Sequence, residues 1–107
     1  MDAAGYISEF MERTRRDPRI GTAHIGFFTV IVYLCDYNGN DSPCLRVHRN
    51  MLMTAAKISS ASTLYRYLNE LSDYGYITYR PSRNPVKGTL IGIVTKQNDE
   101  NLKIEAR

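Results

Sequence analysis

The chemistry of this chain concentrates between Ser60 and Asn69. Ser62, Thr63, Arg66 and Asn69 recur at spacings that gather them on one side of a helix, with Tyr65 at its border. Hydroxyl, guanidinium and amide groups arranged this way can hydrogen-bond the edges of bases and hold phosphate oxygens. Acids arrive only later, at Glu70 and Asp73. That order opposes the helix dipole, which favours acids first and bases last. It points to an anion met by the first turns. A second group, Arg80, Arg83, Asn84 and Lys87, lies in a turn-rich stretch with Pro81 and Pro85, and Arg49 precedes both groups. The prolines restrict that stretch and reduce the entropy lost when it orders on a partner.

The sequence holds no pattern that assembles a catalytic site. His24 and His48 each stand without an oriented partner in sequence, and no Ser/His/Asp order or glycine-rich phosphate loop is present. Cys35 and Cys44 match no metal or redox spacing. Cys35 lies in the apolar stretch from Ile25, where a free thiol packs as a small hydrophobe. The chain reads as a binding protein rather than an enzyme, with no metal and no cofactor. His48, beside Arg49, is suited at most to a phosphate.

Charge distribution supports an anionic partner. The net charge of +3 is modest, but residues 46–96 hold eight bases against two acids. Residues 1–45 hold four bases against six acids. A basic block inside a near-neutral chain is the footprint of a polyanion site, although a solvated basic surface has the same composition. The chain has 107 residues, enough for one self-supporting domain. The beginning lacks a basic, apolar leader pattern, and the run from Ile25 to Cys35 is about half the length of a membrane span. These features predict a soluble, cytoplasmic protein, associated with the nucleoid and not with membranes.

The elements that must position these groups follow from periodicity. Ala3–Arg16 predicts an amphipathic helix with Ile7 and Phe10 on its apolar stripe, flanked by Tyr6 and Met11. Asp17-Pro18 stops it. Ala23–Tyr37 is apolar nearly all round and predicts the buried central helix. Cys44–Val47 alternates like a short strand. His48–Lys57 predicts a short helix, and Ile58-Ser59-Ser60 a turn. Ala61–Tyr74 is the most regular helix, with Ala61, Leu64, Leu68 and Leu71 as its stripe, Ser60 as cap and Gly75 as stop. Tyr76–Arg80 and Thr89–Val94 predict a hairpin around the turn cluster. The expected organisation is an N-terminal amphipathic helix over residues 1–19, a main unit over 20–96 and a polar tail over 97–107. The fold class is mainly α with a small β-hairpin, an α+β arrangement.

The stretch from Lys57 through Ser60, Thr63, Leu64, Arg66 and Leu68 to Leu71, followed by Tyr74-Gly75-Tyr76-Ile77, resembles the helix-turn-helix of winged-helix bacterial regulators. Residues 79–89 are similar to the wings of small winged-helix proteins of Bacteroides-type mobile elements. The resemblance covers roughly residues 20–95. It implies DNA contact at Ser62, Thr63, Tyr65 and Arg66, and at Arg83 and Lys87 in the wing. The turn is one residue longer than the commonest form, so Ser60 and Ser62 both remain candidates for the position nearest DNA. The expected activity is sequence-specific binding of double-stranded DNA, as in transcriptional regulation. The expected form is a homodimer through Tyr6, Ile7, Phe10 and Met11, with packing of that helix on its own domain as the equal alternative. The rival functions are a protein-interaction module on the same fold, and an accessory or initiator factor in replication or excision of a mobile element.

Overall fold

The computed structural model of the protein describes residues 2–37, 43–81 and 88–95. Its elements are α1 (Ala3–Thr14), α2 (Thr22–Tyr37), β1 (Cys44–Val47), α3 (Arg49–Ala56), α4 (Ala61–Asp73), β2 (Ile77–Arg80) and β3 (Thr89–Ile93). The described residues are therefore mainly helical, with one small antiparallel sheet in the order β1-β3-β2.

Local chemistry sets most boundaries. Asp2 caps α1 by accepting the Gly5 backbone N–H at 3.0 Å. The helix stops at Thr14, two residues short of the expected Arg16, and Asp17 N–H turns back to the Thr14 carbonyl. Pro18 accounts for the early stop, since it has no N–H to give the Thr14 carbonyl four residues back and its ring would crowd that carbonyl. Ser60 caps α4 by accepting the Thr63 N–H at 3.5 Å. At the other end Gly75 takes φ +87, while Gly75 and Tyr76 donate to the carbonyls of Ser72 and Leu71. This pair of bonds is a Schellman closure, which glycine accommodates freely. α3 closes with the same two bonds, from Lys57 to Thr54 and from Ile58 to Met53. There the left-handed position is held by Lys57, at φ 60. A side chain with a Cβ pays about 1–2 kcal/mol for that backbone.

The hairpin acquires a third strand. Residues of β1 pair with β3 from Cys44↔Gly92 to Val47↔Thr89, and β2 pairs with β3 from Ile77↔Ile93 to Arg80↔Leu90. Leu45, Ile77, Ile91 and Ile93 turn inward and are buried. Gly88 returns the chain to β3 at φ +74, where an added Cβ would lie 2.8 Å from the Val47 carbonyl oxygen. Only glycine lets the two segments approach so closely.

One core joins every element. It runs from Phe10 through Phe28, Ile31 and Leu45 to Leu64, Leu68, Leu71 and Ile91. α2 is its centre, but not buried all round as its composition predicted: Gly26, Thr29, Tyr33 and Tyr37 remain exposed along one face. α1 packs on α2, and Phe10 stacks on Phe28 at 3.8 Å with its edge contact to Tyr76 at 5.2 Å. This corrects the dimer expectation at Phe10, which is 3% exposed and faces its own core because the Phe28–Tyr76 slot receives it. Tyr6 and Ile7 are half-buried against the same core, and Met11 is exposed.

A polar staple fastens the α1–α2 connection. Tyr76 Oη donates to Asp17 Oδ2 at 2.6 Å, and the Arg19 guanidinium grips both Asp17 oxygens at 2.8 and 2.9 Å. Arg19 and Tyr76 hold the Asp17 carboxyl well below the usual carboxylate range. Burial, with the bond to Asp17, pushes the Tyr76 hydroxyl up to about 12. The depressed Asp17 contributes stability that is complete above the ordinary carboxylate pKa, about 4, and drains as pH falls below it. The raised Tyr76 contributes below about pH 10 and loses its share as pH rises toward 12. Melting temperature against pH should therefore fall at both ends. Asp17→Asn is expected to flatten the acid limb, and Tyr76→Phe the alkaline limb. Variant curves parallel to the wild type would show that neither group drives the dependence.

Candidate nucleic-acid interface

α4 divides cleanly along its length. Leu64, Leu68 and Leu71 are buried, and Ser62, Arg66, Asn69 and Asp73 are exposed on the opposite side. Thr63 and Tyr65 are half-buried at the borders. The first turn carries no acid. Ser60 and Ser62 are distinguished by their surroundings. Ser60 is occupied as the cap, with its Oγ 2.8 Å from Ser62 Oγ, whereas Ser62 is exposed.

Arg66 is held along the helix in the free protein. Its Nε lies 3.7 Å from Glu70 Oε1, and a terminal nitrogen donates to Tyr67 Oη at 3.3 Å. Glu70 also accepts from Tyr74 Oη on its other oxygen at 3.3 Å, while the buried His24 Nε2 stands 3.6 Å from Oε1 without a hydrogen bond. His24 Nδ1 accepts the Gly21 N–H at 3.0 Å, which places the proton of a neutral ring on Nε2. His24 is thus a buried brace behind α4, edge-on to Tyr67 at 5.5 Å. Order along the sequence identified Glu70 as a late acid. It did not show that the same acid positions Arg66 through i,i+4 spacing.

The other expected contact residues separate into two groups. Arg49 is exposed at the start of α3. Arg80 is exposed at the end of β2. Arg83, Asn84 and Lys87 lie outside the described residues. The sheet adds a residue that was counted only as part of the basic block. Arg46 of β1 and Arg80 of β2 are both paired with Leu90 of β3, so they share one row on the outward side, about 10 Å apart. Only the register of β1 on β3 could reveal this, because the two arginines come from distant parts of the sequence. No residue of the three strands is acidic.

Among the described residues no three His, Cys, Asp or Glu side chains group to hold a metal. Burial pushes the Cys35 thiol up to about 11, away from nucleophilic use. Among the described residues no helix is long and apolar enough to cross a membrane.

No protein-family model matches the chain, no curated protein is significantly similar to it in sequence, and no solved structure is significantly similar to it.

Proposed function

We propose that this protein binds double-stranded DNA as a winged helix-turn-helix, with α4 in the major groove and the row of Arg46 and Arg80 across the outward face of the sheet on the phosphate backbone. The observation that carries this reading is the surface of α4. Its exposed side presents Ser62, Arg66 and Asn69 from the first turn onward, with acids only behind them. A helix is narrow enough to enter the major groove, and arginine and asparagine match guanine and adenine edges there. The helix–turn–helix of α3 and α4, followed directly by the sheet, supports the same placement. The role in the cell that fits best is sequence-specific transcriptional regulation.

Fluorescence anisotropy with a random duplex over a salt series tests binding. The expected result is affinity at low salt that falls linearly as log K against log salt. Absence of affinity, or a flat dependence, overturns the proposal. Selection from a random duplex pool then tests specificity and shows whether sites are palindromic.

One observation favours a protein partner instead. Tyr33 and Tyr37 are 60% and 71% exposed on α2, with ring centroids 6.0 Å apart. Exposed, adjacent tyrosines are common in protein interfaces. A protein that ignores DNA but associates through this face would serve as an interaction module.

A further inference from the structure

Among the described residues Lys57 is the one non-glycine residue with positive φ, and it sits where the same closure at the end of α4 uses Gly75. Glycine is the residue that this backbone prefers. A lysine there keeps a cation at the expense of local backbone stability, and strained positions that persist tend to serve function. Its surroundings name the ligand class. Lys57 is exposed and makes no ion pair among the described residues. Together with Ser59, Ser60, Thr63, Phe27 and Tyr67 it lines a hollow of about 390 Å³, and no carboxylate lines that hollow. A cation and hydroxyls around an acid-free recess, immediately before the acid-free first turn of α4, suit a phosphodiester oxygen.

We propose that Lys57 is a phosphate anchor, holding the DNA backbone beside the start of α4 and fixing how that helix enters the groove. The inference rests on the reading of α4 as the DNA-contacting helix. It adds a contact that carries no sequence information, since phosphates position a protein without specifying bases.

The test compares Lys57→Gly, Lys57→Gln and Lys57→Arg. Lys57→Gly should raise the melting temperature by a few degrees, because glycine removes the left-handed cost. Lys57→Gln should leave it near the wild type. Both should weaken random and selected duplexes by the same factor and reduce the magnitude of the salt slope by about one. Lys57→Arg should restore the slope. The inference is overturned if Lys57→Gly and Lys57→Gln keep the wild-type slope, or if Lys57→Gly melts lower. Wild-type protein without salt-dependent duplex binding would instead overturn the underlying DNA reading. Wild-type binding that is lost in Arg66→Ala but untouched in Lys57→Gln would overturn the anchor alone.

Discussion

Phe10→Ala is expected to destabilise the protein by about 3–5 kcal/mol, the range for removing a buried aromatic ring. Domains of this kind have only about 5–15 kcal/mol in total. The ring is 3% exposed, stacked on Phe28 at 3.8 Å and edge-on to Tyr76. Its removal leaves a cavity between α1 and α2 that neither neighbour can fill without leaving the core. Urea unfolding followed by circular dichroism should show a lower midpoint with an unchanged slope. Met11→Ala is the contrast. Met11 is 43% exposed on the same helix, and its loss should stay within about 0.5 kcal/mol. Both effects should be independent of protein concentration. If α1 were instead the interface of a dimer through Phe10, destabilisation would deepen on dilution. A Phe10→Ala loss under about 1 kcal/mol would contradict the packing described for α1.

The stripe containing Ile7 and Phe10 says that the face is buried, but an apolar face is the same whether its own domain or a second copy covers it. The residues that cover Phe10 are Phe28 and Tyr76, and Tyr76 lies 66 residues away in sequence. Features that depend on near neighbours were legible. Ser60 was visible as a cap because its hydroxyl meets an N–H three residues on, and Gly75 as a stop because only local backbone is involved. The left-handed turn at Lys57 gave no signal, since neither glycine nor asparagine marks it. β1 was visible as a strand by alternation, but its partner was not, since register on β3 is fixed by long-range burial of Leu45 against Ile91. The placement of Arg46 in one row with Arg80 was hidden for that reason. In α4 the polar face was legible from period alone, while the brace of His24 behind it was not.

Arg66→Ala should weaken binding to the selected DNA site by about 1–3 kcal/mol, roughly 5- to 150-fold. To reach a base, Arg66 must leave its resting contacts. In the free protein it is 62% exposed, 3.7 Å from Glu70 and 5.0 Å from the centre of the Tyr67 ring. An exposed i,i+4 pair of this kind is worth well under 1 kcal/mol. A bidentate contact from arginine to a guanine edge is worth about 1–3 kcal/mol of discrimination. A base contact of that size would outweigh the resting pair, and Glu70 would not be stranded by the exchange because the Tyr74 hydroxyl still donates to it. Folding stability should change by no more than about 0.5 kcal/mol, since Arg66 packs little. The loss should be larger for the selected site than for random duplex, and the preference at one base position should relax. An equal loss on all sequences, with the salt slope reduced by about one, would reassign Arg66 to a phosphate. Glu70→Gln sharpens the test. It frees Arg66 and removes an acid from the helix, so binding should hold or tighten. Arg66→Ala with unchanged affinity would place the DNA contact on another surface, and the exposed side of α4 would lose its assignment.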